Sequence, residues 1–142
     1  MTIASVADLI ESHEGRKNLA YQDSRGIWTV GVGHNLQSKP MPDAIITALR
    51  DADIADARVA CFAIFLDFPS YADARQAAIC DMIFNMGEHE FRQFSHMIAA
   101  IAAGDWETAA AEALSSQWAS QVPARAKADA LMLKTSQWPD TV

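Results

Sequence analysis

A chain of 142 residues suits one domain, and can bury a core large enough to need no disulfide or metal staple. Its residues are 51% hydrophobic, and eighteen acidic against eleven basic side chains leave a net charge of −7. That balance excludes a disordered chain and disfavours nucleic acid as a partner, since nucleic-acid binding needs a clustered basic face. The longest apolar run, Val59 to Leu66, is far too short to cross a bilayer, so no stable membrane insertion is expected. The opening MTIASVADLIESHEG has neither a basic start nor a signal-length apolar stretch, which points to synthesis in the cytoplasm and release by another route. Cys61 and Cys80 sit in apolar contexts with no second ligand type at metal spacing; they read as buried free thiols, with no metal and no cofactor expected.

In chain order, Ile3 to His13 places Ile3, Val6 and Ile10 on one helical stripe, with Thr2 or Ser5 as N-cap and Gly15 as stop. From Leu19 to Leu36 the pattern favours strand. Tyr21, Ile27, Trp28, Val30 and Val32 are strand formers, and Gln22-Asp23-Ser24-Arg25-Gly26 supplies a turn among them. Pro40 and Pro42 close this region. A long helix is predicted from about Asp43 to about Leu66, stopped by Phe68-Pro69. The next opens at Ser70-x-x-Asp73, a capping-box-like pair, and closes at Gly87. A third carries Phe91, Phe94, Met97, Ile98 and Ile101 and ends at Gly104. Asp105 caps a fourth through Trp106, Ala110, Leu114 and Trp118. Pro123 starts the last, with Ala126, Leu131 and Leu133. The sum is an α+β domain with its strands gathered in one small region.

Three side chains in the first thirty residues have separable chemistries. Glu14 ends a helix, where the macrodipole disfavours negative charge; in a partly desolvated setting it would hold a proton to donate. Asp23 opens a turn, where backbone N–H groups bond its carboxylate and keep it ionised. Thr29 lies on the returning strand, and its hydroxyl could orient a water. Taken singly, each has a plainer reading: an exposed helix-end Glu, a turn Asp, a strand Thr. Two carboxyls with pKa values pushed apart are nevertheless what acid–base cleavage of a glycoside needs. Gly31-Val32-Gly33-His34 fits neither a phosphate loop nor a dinucleotide fingerprint; its glycines suit close approach of a substrate or another backbone. His89 and His96 read as solvent-facing, and Trp106, Trp118 and Trp138 as core aromatics, with Trp28 placed to stack on a sugar.

The combination is more specific than its parts. His13-Glu14-Gly15 followed by Ala20-Tyr21-x-Asp23-x-x-Gly26-x-x-Thr29-Val30-Gly31-Val32-Gly33-His34 resembles the signature of the phage lysozyme family, glycoside hydrolase family 24. So do Phe84-Asn85-Met86-Gly87-Glu88, Gly104-Asp105-Trp106-Glu107-x-Ala109-Ala110 and Gln117-Trp118-x-x-Gln121-x-Pro123-x-Arg125-Ala126-Lys127. The resemblance runs in order from about Ile3 to Trp138. It implies a lysozyme-like single domain over 1–142, with a small antiparallel β-lobe at about 15–40. Residues 1–14 and 43–142 would form a mainly helical lobe, with the active-site cleft between the two. It also implies Glu14 as general acid, Asp23 and Thr29 as holders of the attacking water, and inversion at the anomeric carbon. Gly33, Asn35, Phe84 and Asn85 would line the substrate path. Arg125 would pair with the catalytic glutamate, and His34 with an aspartate, Asp53, on the long helix.

The partners so implied are peptidoglycan glycan strands and, for release, a separate holin; the enzyme would be a monomer acting on the wall in the periplasm. The chain departs from the family in three ways. The stretch from His34 to Asp43 is short, which trims the β-lobe and its outer sugar subsites. Asn35 is polar where the prototype is apolar, and −7 is acidic where prototypes are basic. Arg125, Lys127 and Lys134 keep a local basic cluster. Other uses of the same pattern are an antibacterial effector, a phage-tail component, or a catalytically silent wall-binding module. Loss of Glu14 or Asp23 would mark the last, and both are present.

Overall fold

The computed structural model describes residues 2–140. It is α+β: eight helices and one three-stranded sheet among those residues, in the order α1(Val6–Glu14), β1(Lys17–Gln22), β2(Trp28–Gly31), β3(His34–Asn35), α2(Asp43–Ile64), α3(Asp73–Met86), α4(Glu88–Phe91), α5(Ser95–Ala102), α6(Trp106–Leu114), α7(Gln117–Gln121) and α8(Pro123–Thr135). By compactness it divides into a unit up to Ala48 and a unit from Leu49 on. No helix among the described residues is long and apolar enough to cross a membrane.

The first unit is α1, the sheet and the opening of α2. Ser5 caps α1: its Oγ accepts from the Asp8 N–H at 3.1 Å, while its own hydroxyl donates to Asp8 Oδ2 at 2.8 Å. The helix therefore starts at Val6 rather than near Ile3, because the cap lies at the second of the two expected sites. Gly15, at φ +75°, ends it and donates to the Glu11 carbonyl. The sheet is antiparallel in the order β1-β2-β3, with Tyr21 opposite Thr29 and Thr29 opposite Asn35, and its register is irregular between Lys17 and Tyr21. Helix α1 falls in the same compact unit as the sheet. Only Gly15 and Arg16 separate it from β1, and Glu14 packs on Gly33.

The second unit holds the core. Cys61 of α2, Ile79 and Met82 of α3, Phe91 of α4, Met97 and Ile101 of α5, and Leu133 of α8 are fully buried, and α8 packs against both α3 and α6. An edge-to-face aromatic chain runs from Phe91 to Phe65, Tyr71 and Trp106, the last step at 5.0 Å. Cys61 is buried and Cys80 half-buried, both free. A hydrogen bond from Cys61 brings the Cys80 thiol down to about 7, and that same bond, followed by burial, pushes the Cys61 thiol up.

Three sequence expectations give way here. Ser70-x-x-Asp73 forms no capping box, since Ser70 belongs to a 3₁₀ turn and its hydroxyl donates to the Asp67 carbonyl at 2.6 Å; Ala72 takes the cap position without a side-chain bond. The third helix is two, α4 and α5, because 3₁₀-type bonds from the Gln93 and Phe94 N–H groups to the Glu90 and Phe91 carbonyls tighten the chain. The fourth ends at Leu114, where Ser116 caps the separate turn that carries Trp118. The apolar spacing continues across both breaks because the segments on either side face the same core, so periodicity alone hid them.

Candidate active site

Asp23 is held by its own turn. Its Oδ1 accepts from the backbone N–H groups of Arg25 at 2.8 Å and Ile27 at 3.0 Å, and its own N–H donates to the Ile27 carbonyl at 2.9 Å. The Ile27 N–H foremost, with the Arg25 amide and guanidinium behind it, holds this carboxyl below the usual carboxylate range against a smaller opposing effect of desolvation. Arg25 Nη2 stands 3.4 Å from Oδ2. Asp23 is thus an ionised acceptor with Oδ2 lightly engaged.

Thr29 is 4% exposed on the central strand, and its hydroxyl donates to the same Ile27 carbonyl at 2.9 Å. Committing the proton leaves the oxygen's lone pairs as acceptors. The backbone of one residue, Ile27, therefore fixes both side chains: its N–H orients Asp23 and its C=O orients Thr29.

Glu14, the last residue of α1, lies against the β2–β3 turn. A Cβ at Gly33 would stand 2.9 Å from Glu14 Oε2 and 3.0 Å from its Cδ, and Gly33 has φ +69°. Only glycine meets both conditions without displacing the carboxyl. Four residues singled out by sequence, Glu14, Asp23, Thr29 and Gly33, thus belong to one small unit. Asn35 and His34 are also there, on β3. Asn35 Oδ1 accepts from the N–H groups of Gln37 and Ser38 at 2.8 and 3.0 Å, so its amide NH₂ is the donor left for a ligand.

The remaining predicted residues lie in the second unit. Asp53 and Phe84 line one pocket of about 460 Å³ together with Asp56, Val59, Gly87 and Glu88, an apolar wall with an acidic rim. Asn85 Oδ1 accepts from Trp118 Nε1 at 2.8 Å, leaving the Asn85 NH₂ as donor. Arg125, expected beside the catalytic glutamate, is engaged within its own unit by Asp81: Nε donates to Oδ2 at 2.7 Å and Nη2 to Oδ1 at 2.6 Å.

Sequence reasoning missed Asp81 and its neighbour Asp129. Burial works against the charge on Asp81, but hydrogen bonds from Arg125 and Asp129 outweigh it and hold the carboxyl low. Asp129 is pushed up to about 8 by burial, then by the Asp81 charge and its bond to Asp81. A signal was available for Asp129: it falls between Ala126, Ala130 and Leu133 on the buried stripe of α8, where a charge is out of place. Among the described residues, no three His, Cys, Asp or Glu side chains are grouped to hold a metal.

The family model described as phage lysozyme matches residues 11–133. The chain is 25% identical to the pre-baseplate central spike protein Gp5 of Enterobacteria phage T4 over 92% of its own length, and spans 28% of that protein. It is 24% and 26% identical to the probable T4-type lysozymes 2 and 1 of Dictyostelium discoideum, covering 87% of this chain and 89% of each relative.

Proposed function

The chain belongs to the phage lysozyme family, and from that premise we propose that it is a peptidoglycan muramidase. It cleaves the β-1,4 bond between N-acetylmuramic acid and N-acetylglucosamine with inversion. Glu14 donates its proton to the glycosidic oxygen as the C1–O bond breaks. Asp23 accepts a proton from a water on the opposite face of the sugar, and Thr29 Oγ accepts the second hydrogen of that water, aligning it on C1. The bond formed is C1–O(water), and the product leaves as the α-anomer with no covalent intermediate.

The observation that carries this reading is the shared backbone of Ile27, whose N–H and C=O hold an ionised carboxylate and an accepting hydroxyl in fixed orientation. Gly33 adds support, since it makes room for the Glu14 carboxyl in the same unit. Gly33, Asn35, Phe84 and Asn85 contact the glycan, and Arg125 supports Glu14 electrostatically. As a monomeric endolysin the protein is made in the host cytoplasm, leaves through a separate holin lesion, and cuts the wall from the periplasm. The Gp5 match favours a second setting, the same domain working at a phage tail.

Digestion of purified peptidoglycan by wild type and Glu14→Gln tests the proposal, with new reducing ends resolved by anomer. A loss of at least about 10²-fold in rate is the expected effect of removing a general acid. Absence of reducing ends from every wall type with wild-type protein overturns it in favour of a wall-binding module.

A further inference from the structure

Helix α8 buries one ionisable side chain. Asp129 is 3% exposed, and its Oδ2 has no donor among the described residues. An ionised carboxylate is not tolerated in that state; the group takes up a proton instead. Its neighbour is Asp81 of α3, to which it is hydrogen-bonded, and Asp81 already accepts both donors of the Arg125 fork. Two neighbouring carboxyls and one guanidinium reach neutrality with one proton between the carboxyls. Asp81 keeps the charge because Arg125 faces it in bidentate geometry, so the proton resides on Asp129 and points at Asp81.

We propose that Asp129 is a positioning residue: as a neutral acid it donates a hydrogen bond to Asp81, and the pair holds the Arg125 guanidinium in one bidentate pose. This rests on the reading of Arg125 as the cation that supports Glu14. The geometry explains why a neutral group is needed. Asp129 lies four residues after Arg125 on the same helix, within reach of its guanidinium. Ionised, it would compete with Asp81 for the guanidinium and repel Asp81; protonated, it does neither and ties Asp81 down. The charged groups acting on it are Asp81 from α3 and Arg125 from α8. Of the other helices packed on α8, α6 carries Glu107, exposed and paired with Lys134 at 3.6 Å, and Glu112, and neither acts on Asp129; Lys127 shares the pocket wall but is exposed. The carboxyl loses its proton at about 8, and above that the pose loosens.

The test compares wild type, Asp129→Asn and Asp129→Val in wall hydrolysis from about pH 6 to about pH 9. An asparagine amide donates to Asp81 at every pH. At about pH 6.5 its kcat should lie within about twofold of wild type, and the variant-to-wild-type ratio should rise severalfold by about pH 9. Valine removes the donor and should lower kcat about tenfold with KM unchanged and no loss of Tm, because a buried ionisable group has been removed. An Asp129→Asn profile parallel to wild type, or a wild-type kcat in Asp129→Val, overturns the proposal. If wild type releases no reducing ends, the muramidase reading has failed, but the pairing is still decided by NMR. A ¹³C-carboxyl titration must show Asp129 protonated at neutral pH, and the Arg125 Nε–H resonance must sharpen below about pH 8. An Asp129 carboxyl that titrates in the ordinary range overturns it by itself.

Discussion

Replacing Gly33 by alanine separates two demands that meet at one residue. The first is backbone strain: at φ +69° a Cβ is disfavoured by about 1 kcal/mol. The second is space, since the new Cβ would stand 2.9 Å from Glu14 Oε2, where ordinary contact begins at 3.4 Å. The carboxyl is the far end of a flexible side chain, so it retreats by roughly 0.5 Å and the turn survives. A displacement of about 1 Å at a reacting group costs about 10²-fold in rate, so half of it, scaled logarithmically, costs about tenfold. Gly104 supplies the control: its φ is +72° and nothing lies within 4 Å of its Cβ position, so Gly104→Ala carries the strain alone. Thermal unfolding and initial rates of wall hydrolysis are measured on both variants. Each should lose roughly 3–5 °C in Tm; Gly104→Ala should keep the wild-type rate, and Gly33→Ala should fall to about a tenth of it. Equal rates in the two variants would refute the claim that the Gly33 contact sets the working position of Glu14.

Asp23→Asn should lower the rate by about 10²–10⁴-fold while leaving one oxygen to accept the Arg25 and Ile27 amides. Because the folded carboxyl titrates below its ordinary 3.8, its contribution to stability is complete above that value and fades as pH falls through the lower folded one. The Tm gap between wild type and Asp23→Asn should therefore narrow between about pH 6 and about pH 3, as scanning calorimetry would show. Arg75 caps the end of α8, donating to the carbonyls of Leu133 at 2.8 Å and Lys134 at 3.2 Å while its guanidinium lies 4.4 Å over Trp106. Arg75→Ala should cost about 2 kcal/mol, and Arg75→Lys should recover less than half of that, because an ammonium lacks the fork. Urea melts would measure both, and the rate of wall hydrolysis well below Tm should not change.

Much of this protein is written in short-range signals. Ser5 before an apolar stripe, Gly15 and Gly87 after one and Asp105 ahead of Trp106 each act through bonds spanning four residues or fewer, Pro123 acts at a first turn through its fixed φ, and each marks its helix end in the structure. The Asp23 turn is of the same kind, since Asp23, Arg25 and Ile27 close it among themselves, and so the ionised carboxylate was foreseeable from composition. What local signals misplace is where a helix pauses without glycine or proline. Arg92–Phe94 and Ser115–Ser116 break the chain through 3₁₀ bonds and a serine cap, while the apolar rhythm runs on because both sides serve one core.

The sharpest division is between Asp23 and Asp81. The environment of Asp23 is built by its next four residues. That of Asp81 is built by Arg125 and Asp129, 44 and 48 positions away, and exists only because α3 and α8 pack together. Charge state follows burial and neighbours rather than residue type, so the sequence could specify an aspartate at 129, but only the packing of α8 decided that it would keep its proton.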